Sequence, residues 1–353
     1  MGKRATLMNR FASLLLDPQT ASIGRFVKTL VFVSYDCTIK TTASILQSGK
    51  LPSLTKVEVH NGHFDSDFHV VGMHLGGMRT LEELWLEGAS IRGPKHFQSF
   101  REMLASLTAL RVFGLCGSFQ VNAQDSRNMP LILPPSLRTL YLTGARIHES
   151  TFRFLARGLE ISYPPMLHTV FVDSFRNDND IPGPSILWSV LGLDTRVVLN
   201  VGDGKDRTSY FDPAVSIPGR LMQGLKTSQL TFYCSQSYSL VSYLTHIISH
   251  LPDSICKIGI DFNASAPDGP LDPVSDRGAW VYLDTALTKR YELGLLKCAW
   301  VRCTTRSHRG EGPSFVRRRT IDRTILDRVQ TLLPLSEGVG ILEVDRTNLL
   351  FEL

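Results

Sequence analysis

Apolar residues return along this chain at offsets of zero, three and five. Leu81, Leu84 and Leu86 set the pattern within the stretch Met78 to Pro94, where a polar turn and a helical segment follow. The same offsets recur at Val27, Leu30, Phe32; at Leu54, Val57, Val59; at Leu110, Phe113, Leu115; at Leu137, Leu140, Leu142; and at Leu167, Val170, Val172. The first members lie 27, 27, 29, 27 and 30 residues apart. Self-similarity at such a period signals a solenoid, in which each strand-turn-helix unit buries its apolar face only by stacking on its neighbours.

The pattern predicts strands over 27–33, 56–60, 82–87, 111–116, 138–143 and 168–172. Looser copies fall at 196–201, 229–233, 257–261, 297–302 and 341–344. Helices are predicted between them, the clearest over 95–106, where Phe97, Phe100, Met103 and Leu104 form a stripe behind Pro94. Residues 1–26, with Leu7, Phe11, Leu14 and Leu15 on one helical face, are expected to cap the first repeat, and 303–319 reads as a basic insertion loop. The expectation is a single domain over 1–353, with about eleven irregular repeats. Period and offsets resemble the leucine-rich repeat. That resemblance implies an α/β horseshoe with a concave parallel β-sheet and helices on the convex side.

Residues two apart in a strand share a face, so Trp85, between Leu84 and Leu86, is expected on the concave side. The same logic places Val31, Glu58, Trp85, Gly114, Tyr141, Phe171, Asn200, Thr231, Gly259, Trp300 and Glu343 in one column. A second, mildly acidic column holds His60, Glu87, Cys116, Thr143, Asp173, Gly202, Tyr233, Asp261, Arg302 and Asp345. Aromatic residues on a rigid face are typical interface anchors. The candidate protein-binding residues are therefore Glu58, Trp85, Glu87, Tyr141, Phe171, Asp173, Tyr233, Asp261 and Trp300.

Composition changes this picture little. Hydrophobic residues at 43% and charged residues at 20% are globular values. No apolar run is long enough for a membrane helix, so no membrane partner is expected. The cysteines, six in number, are scattered and read as reduced thiols of a cytoplasmic or nuclear protein. Charge is more informative. Between 302 and 328, eight arginines face three acids, an excess that equals the +5 of the whole chain. Its candidate basic patch is Arg302, Arg306, Arg309, Arg317, Arg318 and Arg319, suited to an acidic surface or to nucleic acid.

Catalytic motifs are missing: no serine elbow, zinc-hydrolase helix or dinucleotide loop occurs. The densest group of metal-ligand residue types, His63 to His69, equally suits a solvated turn entering a helix. No catalytic residue, metal or cofactor is assigned. A non-enzymatic chain, monomeric by itself, is expected.

Leu7 to Val33, a short helix leading into a Val-x-x-Leu-x-Phe strand, resembles the segment that opens the repeat domain of fungal F-box proteins. In that family the F-box contacts a Skp1-like adaptor of a ubiquitin ligase and the repeats select the substrate. This sequence shows no F-box before the segment, and Leu51-Pro52 belongs to the approach to the second strand. No adaptor-contact residue is carried over.

Overall fold

Leu81, Leu84 and Leu86 are all fully buried, because a turn and a strand aim the whole triplet at one layer of helices. The computed structural model describes residues 2–33, 39–60, 63–64, 68–88, 90–91, 93–116, 120–121, 130–143, 149–172, 183–201, 222, 224–234, 239–263, 277–306, 319–321 and 323–344. Contacts divide the chain into two compact units, Met1–Phe171 with Asp180–Val190, and Val172–Asn179 with Leu191–Leu353.

The first unit opens with α1 (Gly2–Leu16), a 3-10 turn at Ala21–Phe26, β1 (Thr29–Val33), α2 (Ile39–Gln47) and β2 (Lys56–His60). It continues through β3 (His63–Phe64), α3 (Phe68–Gly76), β4 (Glu83–Glu87), β5 (Ser90–Ile91), α4 (Pro94–Ser106), β6 (Val112–Cys116) and β7 (Gln120–Val121). β8 (Thr139–Thr143), α5 (Glu149–Ile161), β9 (Thr169–Val172) and α6 (Gly183–Trp188) complete it. β1, β2, β4, β6 and β8 pair in parallel in that order, with β9 next to β8. The short strands β3, β5 and β7 form a second parallel ladder, which the apolar pattern does not reveal because each strand is only two residues long.

A fixed turn precedes these strands. The N–H of Leu54, Leu81, Leu110, Leu137 and Leu167 donates to the carbonyl three residues back, at Leu51, Met78, Leu107, Pro134 and Pro164. Hydroxyls then tie repeat to repeat: Thr80 Oγ1 donates to Leu54 O at 2.9 Å and Ser136 Oγ to Leu110 O at 2.8 Å. Behind the sheet, Phe100 of α4 meets Phe113 with ring centroids 6.4 Å apart, and Phe97 meets Phe154 of α5 at 5.0 Å.

The second unit contains β10 (Arg196–Val201), β11 (Gln229–Cys234), α7 (Ser239–Ser249), β12 (Lys257–Asn263), α8 (Arg277–Glu292) and β13 (Cys298–Arg306). β14 (Arg319–Ile321), α9 (Arg323–Thr331), α10 (Pro334–Gly338) and β15 (Leu342–Val344) follow. β10 to β13 run parallel, and β15 adds in parallel to β13. Both units are thus alternating β-α repeats of solenoid type, and among the described residues eleven strands occupy the repeat positions. The expected insertion loop at 303–319 begins and ends in strand: β13 runs on to Arg306 and β14 returns antiparallel, with Arg306 opposite Arg319.

A buried cation ties α8 to the turn that follows α7. Arg290 is 5% exposed, and its guanidinium donates to Leu251 O, Pro252 O and Ile255 O at 2.9, 3.0 and 3.2 Å. It thereby satisfies the carbonyls just beyond α7. Burial lowers its pKa, opposed by nearby Asp253. Arg290→Met leaves these carbonyls without their donor and should destabilise the unit by about 3 kcal/mol, read as a lower urea midpoint. Arg290→Lys should recover only part of the loss, since an ammonium lacks the planar fork.

Candidate functional site

Parallel pairing sets the outward residues of the first unit in rows. Lys56, Glu83, Val112 and Thr139 are level; so are Glu58, Trp85, Gly114 and Tyr141; so are His60, Glu87, Cys116 and Thr143. The expected column from Val31 to Tyr141 is therefore real. Its exposure differs from expectation, for Trp85 and Tyr141 are each only 6% exposed.

Gly114 supplies the reason. A Cβ on Gly114 would lie 2.2 Å from Trp85 Cε3, so the missing side chain is what lets the indole lie down on β6. Beyond it Tyr141 packs at a centroid distance of 4.9 Å, and Phe171 packs on Tyr141 at 5.3 Å. Such contacts add about 0.5–1.5 kcal/mol each beyond burial. The result is a continuous aromatic row across four strands, with only Phe171, at its end, half-buried.

An ionic network closes the other end of the row. Lys56 Nζ lies 3.0 Å from Glu58 Oε1, 3.4 Å from Glu83 Oε2 and 5.6 Å from the Trp85 ring. His60 Nε2 meets Glu58 Oε2 at 3.3 Å, and His60 Nδ1 is hydrogen-bonded to Glu87. Trp85 Nε1 donates to Glu83 at 3.3 Å. Hydrogen bonds to Glu58 and Glu87, opposed by burial, raise the His60 pKa to about 9. Burial pushes Glu58 upward, but hydrogen bonds from His60 and Lys56 outweigh it and the net shift is down. His60 is thus an imidazolium with both ring nitrogens engaged, which suits it to hold carboxylates rather than to accept a proton at neutral pH.

In the second unit the pairing corrects one expected position. Val198, not Asn200, is level with Thr231, Gly259 and Trp300; Asn200 falls with Tyr233, Asp261 and Arg302. β10 begins level with β11, Arg196 opposite Gln229, so its outward residue in this row is the third of the strand, Val198. Trp300 repeats the Trp85 arrangement, since a Cβ on Gly259 would lie 2.1 Å from Trp300 Cζ2. The guanidinium carbons of Arg196 and Arg302 stand 5.2 and 5.3 Å from its ring centroid. Trp300 remains half-buried, while Tyr233 and Asp261 are buried.

Arg302 is 3% exposed, so it packs beside Trp300 and does not belong to an exposed basic patch. Its burial follows from its place inside β13. Of the other patch residues, Arg306 and Arg319 lie in paired strands, and Arg309, Arg317 and Arg318 lie outside the described residues. So does Asp173. The His63 to His69 cluster has no described side chains, and among the described residues no group of three or more ligand-type side chains could hold a metal. Cys234, Cys256 and Cys298 are free thiols, and Cys116 Sγ accepts from Thr143 Oγ1 at 2.9 Å. Among the described residues no helix is long and apolar enough to cross a membrane.

Sequence reasoning located the aromatics but missed their glycine seats. The signal lay in the strand pattern itself: Gly114 and Gly259 are small residues one repeat away from Trp85 and Trp300 at the same outward position. No protein-family model matches this sequence, and no curated protein matches it.

Gly114→Ala should force the Trp85 indole off β6, costing about 1–3 kcal/mol, seen as a lower melting temperature with red-shifted tryptophan emission. His60 has a folded pKa above its ordinary 6.5. Its contribution is therefore complete below pH 6.5 and lost as pH rises through about 9. Relative to His60→Gln, wild-type stability should fall by about 2 kcal/mol across that window, less than the full shift implies because Glu87 is partly solvated. Glu58, with its pKa depressed, adds the opposite limb, lost as pH falls below the ordinary carboxylate range.

Proposed function

We propose that this chain is a non-enzymatic protein-binding scaffold whose sheet face recognises its partner. A stack of β-α repeats whose core side is filled by helices suits such a role, because its other face offers a rigid array of side chains. The observation that carries the reading is the aromatic row from Trp85 through Tyr141 to Phe171. Its buried members act as a floor, and the half-buried Phe171 offers the contact surface. Trp300 does the same in the second unit.

The finer reading keeps the leucine-rich-repeat class, one array of about eleven repeats capped by 1–26, and a cytoplasmic or nuclear setting. Its likeness to the repeat domain of F-box proteins would make the bound protein a ubiquitin-ligase substrate. In that case a Skp1-like adaptor should accompany the captured complex.

Substituting Trp85 would disturb the floor as well as the surface, so the decisive variant is Phe171→Arg combined with Trp300→Ala. Affinity capture from the native cell should lose the partner with this variant, while circular dichroism shows a folded chain whose melting temperature is lowered by the lost Trp300 packing. Undiminished capture by a folded double variant rejects the face as the binding site.

A further inference from the structure

A line of basic side chains, two arginines and a histidine, borders the aromatic row where the strands begin. Arg111 N donates to Glu82 O at 2.8 Å, Arg138 N to Arg111 O at 2.8 Å, and His168 N to Arg138 O at 3.0 Å. These bonds hold Arg111, Arg138 and His168 level just ahead of the successive strands β6, β8 and β9, about 4.8 Å apart. All three are exposed. Arg111 pairs with Glu82 at 3.8 Å, with side chains 52% and 43% exposed, a pairing that water largely screens. Beside the line, Val112, Thr139 and Thr169 are partly exposed, and His168 Nδ1 lies 2.9 Å from Thr169 Oγ1. Tyr141 and Phe171 come next along the same strands.

The contrast with β2 and β4 is informative. There Lys56 and His60 are largely covered, with side chains 14% and 10% exposed, and each already holds two carboxylates. Just ahead of β6 and β8, Arg111 and Arg138 are exposed instead.

Building on the scaffold reading, we infer that this strip receives an acidic, extended peptide segment of the partner. Its carboxylates pair with Arg111 and Arg138, whose guanidinium forks suit that geometry, while threonine hydroxyls and Phe171 meet the rest of the segment. Single-stranded nucleic acid fits less well, because the aromatic row lies mostly covered and cannot offer successive stacking platforms to bases.

The test uses the full chain and a fluorescein-labelled oligoglutamate peptide, followed by anisotropy at low salt, with labelled oligouridylate in parallel. Arg111→Glu with Arg138→Glu should weaken oligoglutamate at least about tenfold. Arg111→Gln with Arg138→Gln should weaken it less, with the circular dichroism melt retained in both. Arg317→Ala, Arg318→Ala and Arg319→Ala together should leave the affinity unchanged. The inference is overturned if oligoglutamate fails to bind, if it binds the Glu variant as tightly as wild type, if the triple variant abolishes binding, or if oligouridylate binds more tightly. A cellular partner that depends on Phe171 but ignores Arg138 also overturns it, yet leaves the scaffold reading standing. Oligoglutamate bound through Arg138, with no partner depending on Phe171, supports the strip and rejects the scaffold reading alone.

Discussion

The register between neighbouring strands is the constraint from which the sheet face follows. In the first unit, the carbonyls of Glu82, Arg111 and Arg138 each accept two successive N–H groups from the next strand. A slip of one residue would send Leu84 and Leu86 to the face and Trp85 to the core. Burial of the leucine triplets forbids that slip, since each fully buried leucine contributes on the order of 2 kcal/mol. The side chains proposed to meet a partner are therefore placed by leucines buried in the core.

With the register fixed, small residues decide what the large ones can do. Trp85 over Gly114 and Trp300 over Gly259 are two instances of one device, in which a glycine on the adjacent strand lets an indole lie along the backbone. A ring so held has little freedom to lose on binding, which favours recognition. The same device removes most of the ring from water, so Trp85 works as a floor rather than as an anchor. Charges divide likewise. Around Glu58 and His60 they satisfy one another within the face, whereas Arg111 and Arg138 remain turned to solvent.

Much of this was legible in the amino-acid order. The triplet offsets placed β2 and β10 to the residue, and the other repeat strands to within a few residues, because apolar burial governs them. Alternation placed Trp85 and Tyr141 on the correct face. Exposure was not legible, since it depends on whether the residue one repeat away is a glycine or a lysine. The position of Asn200 was misread because the looser second half has buried threonines, Thr195 and Thr227, where the first half has leucine or valine. The burial of Arg302 was hidden by its neighbours in sequence, whose arginines suggested a solvated run. β3, β5 and β7 are too short to leave any periodicity.

The central claim is that partner recognition occurs on the sheet face. Hydrogen–deuterium exchange of the chain with and without its captured partner tests it most directly. The account predicts new protection at the strand starts and outward residues of β6, β8 and β9, with the helices unchanged. Protection confined to α4 and α5, with those strands unaffected, would contradict it.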